Sequence, residues 1–536
     1  MLGLGLALSI AKKTLGDAID GLLSTLRGRA TYYENGSASK STIKAIDNAD
    51  ILDKASILLT PTAYSDARVH SVKTYTGDEL VTNGTFDTDS NWSATNGATI
   101  TGGVLNIDYN LGNGSTTQSN VFTIGKTYKI QLNVDDSSTG TARINSGVLA
   151  TILSNGLNTF YIEATGTTLE IRNHVNFVGS IDNVSVVDVS SDFDFDRASS
   201  ATRINYSANI EDITSDLARI NYDSNGENGH ILLEPTSTNL ITYSEDFSEW
   251  TLGNNSTLTY ESDVVAPDGS LGVYRLQNPA TFSTFIQSPS FSNSNPLTVS
   301  LYVKSTGSGN DNFNFFTGGT NVSDLKTATS EWQRFDYTAD GSSMYIVNDG
   351  DTYASDIYIW GAQAEALSYP TSYIPTLTGS TVTRATETLT GSGNSTLINS
   401  TEGVLYAEIK VPQSYGSNLN ISISDSTSSE YVKFIILTTN NVRAEIQGSS
   451  NAQQRQTSFT YDTYTKLASS YNSTECKFFI NGSQIGTTIT THTLPSGLNT
   501  LEFARGDGQA NFYGKCKPLA VFDEALSDTE LQNLTS

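Results

Sequence analysis

The chain has 536 residues, a formal net charge of −26 at pH 7, and only 16% charged residues, against about 25% in typical globular proteins. Serine, threonine, asparagine and glycine fill the difference, and 26 Tyr and 21 Phe recur among them. This composition is typical of short, half-exposed strands joined by polar turns and not of disorder. The acidic balance disfavours nucleic acid and anionic membranes as partners, while the length allows about three or four domains.

The first 28 residues have apolar positions three and four apart, which predicts an amphipathic helix ending near Gly28. The opening run MLGLGLALSIA is too short to span a bilayer. Basic residues follow this run instead of preceding it, unlike in a signal peptide. The helix either packs on its own domain or docks into a partner protein or a symmetric bundle. Further on, the stretch ILLTPTAYSDARVHSVK predicts a strand, a turn and a second strand.

From Glu79 onward, short alternating runs are punctuated by Asn-Gly and Gly-Gly, as in an all-β domain. One stretch, VFTIGKTYKIQLNVDD, carries apolar side chains that we expect to alternate with period two at Phe122, Ile124, Tyr128, Ile130, Leu132 and Val134. The runs ELVTNGTFDTDSNW, GKTYKI and IDNVSV resemble the jelly-roll carbohydrate-binding modules of cellulases and xylanases. That resemblance implies a concave sheet face on which aromatic side chains stack on sugar rings.

Residues 193–250 contain FDFDRASSATRINYSANIEDITSDLARINYD and HILLEPTSTNLITYSEDFSEW. This block resembles a signature found in tail-fibre, head-fibre and other structural proteins of tailed bacteriophages, where it introduces carbohydrate-binding-like β-domains. The matching positions are Arg197, Ser199, Ala201, Thr202, Arg203, Ile210, Glu211, Ala218, Arg219, Ile220, Glu234, Pro235, Ser237, Thr238, Asn239, Leu240, Tyr243, Ser244 and Phe247. The resemblance implies a virion context but no chemistry.

The chain then repeats itself at a spacing of about 160 to 175 residues, which indicates a duplicated jelly roll and not a solenoid. Leu80, Phe86 and Trp92 have counterparts in Leu240, Phe247 and Trp250. The stretches LTVSLYVKS and SDIYIWGAQAE parallel TYKIQLNVD and GSIDNVSVVDV. The following YPTSYIPTLTGSTVTRATET resembles the closing segment of this module in phage proteins.

After a linker rich in glycine, serine and asparagine, a third β-unit begins at about residue 402. Asn481-Gly482 between two apolar runs is a strong hairpin signal. The FFINGSQIG hairpin and the closing LAVFDEALSDTELQNL, whose last residues predict a short helix, resemble a concanavalin A-like (laminin-G-type) lectin sandwich.

The tryptophans are the residues to consider for sugar binding, since an exposed indole offers a flat apolar face to a pyranose ring. The weak glycan-binding candidates are Trp92, Trp250 and Trp332. Trp92 and Trp250 occupy equivalent places near the first strand of each repeat, where a core role is ordinary. Trp332 lies in a stretch expected to cover the sheet, so we favour a core role for it as well.

Groups suited to catalysis or metal binding are sparse. The two cysteines, Cys476 and Cys516, lie in predicted strands, where buried free thiols are favoured over a bridge. The four histidines are too scattered for a zinc site or a His-based acid–base scheme. Alternation puts Asp192, Asp194 and Asp196 on one strand face, which indicates solvent-facing acids or, less favoured, a structural Ca²⁺ site. No catalytic residue is predicted, and no cofactor apart from that Ca²⁺ alternative.

Together these patterns predict a mainly β, multi-domain β-sandwich and jelly-roll protein with a short α-helical N-terminal anchor. The predicted units are an anchoring segment 1–75, a jelly roll 76–190, a connector 191–238, a second jelly roll 239–385, a linker 386–401 and a lectin sandwich 402–536. We expect a non-enzymatic fibre or decoration component of a phage particle surface. Other virion proteins would contact residues 1–75, the outer domains would bind host or environmental glycans, and a trimer is favoured. A purely architectural protein of the capsid, neck or baseplate is the alternative, and a polysaccharide depolymerase is less favoured.

Overall fold

The computed structural model describes residues 31–33, 43–45, 49–52, 54–59, 79–135, 137–145, 151–188, 193–205, 207–226, 229–253, 255–278, 284–292, 294–319, 321–348, 353–377, 379–413, 415–449 and 452–536. Within these ranges the protein is mainly β, as predicted, with two α-helices, α1 (Ala49–Leu52) and α2 (Asp528–Thr535). Neither described helix has the length or the apolar character that crossing a bilayer would require. The helix predicted for residues 1–28 lies outside the described residues.

Three short strands precede the first jelly roll: β1 (Thr31–Tyr33), β2 (Ile43–Ala45) and β3 (Ile57–Leu59). β1 and β2 pair with each other. Of the predicted strand, turn and strand, the first strand is β3, and the rest lies outside the described residues. The first jelly roll follows as one network of nine strands: β4 (Ser93–Ala94), β5 (Ala98–Thr101), β6 (Val104–Asp108), β7 (Ser115–Gln118), β8 (Thr127–Val134), β9 (Thr139–Ile144), β10 (Thr151–Ile152), β11 (Gly156–Glu163) and β12 (Leu169–Asp188).

The predicted alternation places β8 correctly. Its side chains Tyr128, Ile130, Leu132 and Val134 all lie in the core of the first jelly roll. Phe122 and Ile124 lie before the strand begins; Phe122 is buried, whereas Ile124 departs from the pattern and is 64% exposed. The alternation therefore specifies the buried face within the extended strand and does not place the side chains before it.

Six short strands form the connector: β13 (Asp194–Asp196), β14 (Ala201–Ile204), β15 (Ile210–Ile213), β16 (Arg219–Asn221), β17 (His230–Leu233) and β18 (Ser237–Asn239). The second jelly roll comprises β19 (Thr251–Leu252), β20 (Thr257–Val265), β21 (Leu271–Asn278), β22 (Thr284–Gln287), β23 (Ser294–Ser305), β24 (Asn312–Gly318), β25 (Lys326–Thr327), β26 (Gln333–Val347) and β27 (Ser355–Glu365). Two strands close it, β28 (Val382–Arg384) against β18 and β29 (Thr388–Thr390) against β13.

The predicted duplication is visible in the hydrogen bonds that start and finish each jelly roll. The amide of Leu80 donates to the carbonyl of Val186 at 3.0 Å, and the amide of Leu240 donates to the carbonyl of Ala364 at 2.8 Å. In both modules the last strand contains a bulge at a residue with positive φ, Asn183 at 54° and Gly361 at 62°. The second jelly roll thus repeats the backbone plan of the first.

The C-terminal unit is a sandwich of two sheets. Its strands are β30 (Gly403–Lys410), β31 (Leu419–Ser424), β32 (Tyr431–Leu437), β33 (Asn441–Gln447), β34 (Gln453–Ser458), β35 (Thr465–Tyr471), β36 (Cys476–Ile480), β37 (Ser483–Gln484), β38 (Thr500–Glu502) and β39 (Gly514–Phe522). One sheet has the order β34-β33-β32-β31-β38, and the other contains β39-β30-β35-β36-β37. The predicted hairpin at Asn481-Gly482 joins β36 to β37, and the predicted closing helix is α2.

Strands from earlier in the chain complete this sandwich. β3 pairs with β39 at Ile57 and Val521, and β17 pairs with β39 at Ile231 and Cys516. β16 extends the same sheet beyond β17, and Phe193 is part of the sandwich core. Both jelly rolls are therefore inserted into one larger β-unit that begins before the first jelly roll and ends at α2.

The N-terminal part of that unit also contacts its C-terminal helix. Ile51 and Leu52 of α1 share a buried apolar cluster with Leu531 and Leu534 of α2. Residues 49–52 and 54–59, which lie inside the predicted anchoring segment, thus belong to the sandwich.

Candidate functional site

Trp92 and Trp250 lie inside the cores of the two jelly rolls. Their side chains are 8% and 5% exposed, and their rings contact Phe86 and Phe247 at centroid distances of 5.2 and 4.9 Å. Each indole N–H donates to a main-chain carbonyl at 3.0 Å. Both rings are thus buried in equivalent places of the repeat.

Trp332 is half-buried, and its indole N–H donates to the carbonyl of Val265 at 2.8 Å. It packs beside Trp360 and Tyr373 on the outer face of the second jelly roll. The connector covers this face with Ile204 and Ile210. The aromatic face that a sugar-binding jelly roll would present is therefore largely filled by the chain itself.

The other residues singled out by sequence do not form a reactive site in the described part of the chain. Asp194 and Asp196 are exposed beside the buried Phe193, while Asp192 lies outside the described residues. No group of three potential metal ligands occurs among the residues that the structure describes. Cys476 and Cys516 are buried free thiols, as favoured by the sequence.

Three signature residues instead build a buried ion cluster together with two residues that follow the second jelly roll; we define the ion cluster as Arg197, Arg219, Glu234, Arg384 and Glu387. Each guanidinium is at most 1% exposed. Three arginines against two glutamates leave one positive charge in excess, in an interior where charges are rarely tolerated unless paired.

Glu387 is the centre of the ion cluster. One of its carboxylate oxygens accepts from Arg197 Nη1 and from Arg219 Nε, each at 2.8 Å. The other accepts from the Glu234 amide at 2.8 Å and from Arg219 Nη2. A single carboxylate thus holds two arginines from the connector after a separation of up to 190 residues.

Glu234 links the same arginines to the closing segment. It accepts from Arg219 Nη2 at 2.8 Å, lies 2.9 Å from Arg384 Nη1, and accepts from the Ser372 hydroxyl at 2.7 Å. Burial alone would raise the pKa of Glu234, but the guanidinium groups of Arg384 and Arg219 outweigh it and hold that pKa well below the usual range. The cluster therefore fastens the points where the chain enters and leaves the second jelly roll.

A cleft opens beside this cluster, where the connector, the second jelly roll and the sandwich meet. We call it the junction cleft, and its volume is about 230 Å³. It is lined by Thr202, Arg203, Ile204, Ile210, Asn221, Leu232, Glu234, Tyr302, Arg334, Pro370, Thr371, Ser372, Tyr373, Pro412, Tyr415, Asp462 and Lys515. None of the candidate tryptophans is among them.

Tyrosine supplies the aromatic part of the junction cleft. Tyr302 and Tyr415 are half-buried, and Tyr415 contacts Tyr369 and Tyr513 at centroid distances of 5.0 and 5.7 Å. Burial raises the pKa of Tyr302 and of Tyr415, so both phenols stay protonated at neutral pH. The cleft thus combines flat apolar rings with hydroxyl groups, the mixture that ligand sites use for contact and orientation.

The carboxylates that line the junction cleft are engaged by cations. Glu234 is held by the ion cluster, and Asp462 lies 2.7 Å from Lys410 Nζ. A glycosidase acid needs a raised pKa, whereas that of Glu234 is lowered. The arrangement is suited to holding a ligand and not to donating a proton from Glu234.

The outer face of the five-stranded sheet in the sandwich is covered by a loop of the same chain. The hydroxyl of Ser422 donates to the carbonyl of Ala504 at 2.8 Å, and the amide of Asn420 donates to that of Ala510 at 3.1 Å. Tyr431, on the same sheet, is only 5% exposed. The junction cleft is therefore a more accessible site than this face.

Sequence reasoning identified the signature but not its role or the junction cleft. The signal that could have pointed to the ion cluster is the presence of Arg197, Arg219 and Glu234 in stretches that otherwise alternate as buried strands. Tyr302, Arg334 and Lys515 carry no comparable signal, since each lies in an ordinary strand sequence.

Solved structures that resemble part of the chain each match about a quarter of it. They include the Ruminococcus gnavus IT-sialidase CBM40 bound to alpha2,3 sialyllactose (17% identity, TM-score 0.24, 27% of this chain and 94% of that chain). Domain 4 of the Geobacillus stearothermophilus arabinanase AbnA with arabinotriose has 13% identity and a TM-score of 0.25, over 28% of this chain and 73% of that chain. The SAP-like pentraxin of Limulus polyphemus has 15% identity and a TM-score of 0.21, over 25% and 70%. Likenesses this distant carry no functional argument.

None of the curated proteins matches the chain in sequence. Residues 389–532, however, match the family model described as the concanavalin A-like lectin/glucanases superfamily. The C-terminal sandwich is accordingly a concanavalin A-like lectin/glucanase domain, built into a larger unit that carries two jelly rolls.

Proposed function

We propose that this protein binds glycans and that the junction cleft is a binding site. The observation that carries the proposal is a cleft lined by tyrosines, hydroxyl groups and charged side chains, directly beside a concanavalin A-like lectin/glucanase domain. Its volume of about 230 Å³ is below the roughly 300–1,000 Å³ of drug-sized sites. The cleft therefore suits one sugar residue or the end of a longer glycan.

Binding is favoured over glycoside hydrolysis. Hydrolysis needs two opposed carboxyl groups, one of them protonated at neutral pH. In the junction cleft, Glu234 is kept ionised by Arg219 and Arg384, and Asp462 is paired with Lys410. A depolymerase assay on capsular polysaccharide should therefore release no new reducing ends.

A glycan array tests the binding proposal. The full chain should bind a defined set of glycans, and Tyr415→Ala should weaken that binding about two- to tenfold, because an aromatic contact contributes roughly 0.5–1.5 kcal/mol beyond its buried area. Tyr260→Ala is the matched control, since Tyr260 is 58% exposed on the second jelly roll and does not line the cleft. Equal thermal midpoints would show that both variants fold. Unchanged binding by Tyr415→Ala would place the site elsewhere.

We further propose that the protein is a fibre or decoration component on the surface of a tailed-phage particle. The phage-like block at residues 193–250 supports this setting. Because residues 49–52 and 54–59 belong to the sandwich, contacts with other virion proteins would use the residues before α1. Individually weak glycan sites would gain strength through avidity in a trimer. Labelled antibodies on intact particles, and the mass of the purified protein by light scattering, test these two points.

The second candidate is a purely architectural virion protein. The burial of Trp92, Trp250 and Trp360 favours it, because rings that could stack on sugars are used for packing instead. Assembly into particles together with a blank glycan array would support this function over glycan binding.

A further inference from the structure

We propose that the junction cleft selects an anionic sugar residue, whose acid group is bound by Lys515 and Arg334. This inference rests on the proposed glycan binding and adds the class of sugar. It depends on which charges of the cleft are already neutralised within the protein.

Three of the five charged lining residues have partners of opposite charge. Arg203 Nε donates to Glu211 at 2.7 Å, Asp462 pairs with Lys410, and Glu234 belongs to the ion cluster. The two that remain are cations, Lys515 and Arg334. Within the described part of the chain, no carboxylate lies at ion-pair distance from either of them.

Lys515 lies on the outward face of β39, directly across from Lys410 of β30. Like charges opposite each other on neighbouring strands destabilise a sheet. Asp462 neutralises Lys410, but the ammonium group of Lys515 makes no hydrogen bond to a described residue. Burial, and then the charge of Lys410, lower the pKa of Lys515. An anion in the cleft would offset both effects.

Arg334 presents a second unmatched cation from the second jelly roll. Its guanidinium lies 5.6 Å from the centroid of the Tyr302 ring. It donates to neutral oxygens, the Thr371 carbonyl and, at 2.9 Å, the Ser300 hydroxyl. Its Nε is buried and has no partner among the described residues. A planar guanidinium with unused donor capacity suits a carboxylate or a sulfate.

The remaining lining favours a sugar as the carrier of that acid group. Tyr302 and Tyr415 offer rings for a pyranose face, and the Thr202 and Ser372 side chains add hydroxyl oxygens. The net charge of −26 works against a long polyanion, whose further charges would be repelled by the surface. A single acidic residue at the end of a glycan fits this combination of local cations and a globally acidic protein.

Titration calorimetry of the full chain tests the inference with three probes: a galactose trisaccharide whose terminal residue is galacturonate, the same trisaccharide with that carboxyl group reduced, and the same trisaccharide with one sulfate on its terminal galactose. We expect the reduced probe to bind at least about tenfold more weakly than the probe that ends in galacturonate. Lys515→Gln should weaken the acidic probes about tenfold or more and leave the reduced probe unchanged. Binding of the sulfated probe would show that charge, and not the carboxylate, is recognised, which also supports the proposal.

Lys517→Gln is the matched control, because Lys517 lies on the same face of β39 but over the Tyr464 ring, at 4.1 Å, and outside the cleft. It should bind like the unsubstituted chain. Equal affinity for charged and reduced probes, or no effect of Lys515→Gln, would overturn the inference. If neutral glycans bind in a Tyr415-dependent manner while acidic ones do not, this inference fails and the proposed function stands. If no glycan binds at all, both fail.

Discussion

In both jelly rolls the segment that leads into the module is held to the last strand at the same place, but by different side chains. In the first module, one carboxylate oxygen of Glu79 accepts from the amides of Val81 and Val186 at 2.9 and 2.8 Å. In the second, the amide oxygen of Asn239 accepts from Ile241 and Ala364, both at 3.1 Å. The role is kept, although Glu79 is exposed and Asn239 is fully buried.

The difference follows from the surroundings of the two modules. The strands of the first jelly roll pair only among themselves within the described ranges. The second jelly roll packs against the connector and the sandwich, with the ion cluster at its base. At the exposed position of Glu79, a carboxylate can accept both hydrogen bonds because water solvates its charge. At the buried position of Asn239, a neutral amide avoids burying a charge, and its NH₂ group also donates to the carbonyls of Ala362 and Ile374. The same fold therefore serves one module that is separate and another that is built into a junction.

The largest effect is expected from Glu387→Gln. It removes the charge that neutralises Arg197 and Arg219, and breaking a buried ion pair by losing one partner costs about 3–5 kcal/mol. Urea unfolding followed by hydrogen–deuterium exchange should show this loss in the second jelly roll and the sandwich. The first jelly roll should keep its stability, and an equal loss in all three units would contradict the structural independence of that module.

Asp188→Asn provides the matched control in the first jelly roll. Its carboxylate lies 2.6 Å from Lys126 Nζ in a pair that is partly exposed to solvent. Such pairs contribute about 0–1 kcal/mol, so the same measurement should show little change.

A smaller effect is expected from Asn239→Ala, which leaves the amides of Ile241 and Ala364 unpaired inside the protein. Unsatisfied buried groups cost about 1–3 kcal/mol. The equivalent Glu79→Ala should cost less, since water can replace an exposed carboxylate. The denaturant midpoints of the two variants measure this difference. Equal losses of stability would show that the effect does not depend on whether the side chain, Glu79 or Asn239, is buried.

Acid should weaken the junction before it weakens the first jelly roll. Because the folded pKa of Glu234 is lowered, its contribution is complete above the unfolded value of about 4.3 and is lost as the pH falls toward the folded value, by about 1.4 kcal/mol for each pH unit. Urea midpoints at pH 7, 4 and 3 measure this slope. Glu234→Gln should reduce the dependence of stability on pH in the second jelly roll and the sandwich. An unchanged slope would assign the acid sensitivity to other groups.

Much of the local structure could be predicted from the sequence because it depends on neighbouring residues. Alternation at Ile130 and Leu132 specifies a strand with one buried face. Asn481 and Gly482 adopt φ values of 44° and 79°, which a two-residue hairpin requires and which these residue types tolerate. The repeat of Phe86 and Trp92 as Phe247 and Trp250 likewise predicted a second module of the same plan.

Only the tertiary structure determined how these modules are joined and where a ligand could bind. Arg197 contacts Glu387 across 190 residues, and Lys515 and Arg334 line one cleft although they belong to separate units. Sequence reasoning places charged side chains at the surface, because burying them costs free energy unless partners arrive from elsewhere in the chain. The insertion of both jelly rolls into the sandwich brings those partners together, and no local sequence pattern predicts that arrangement.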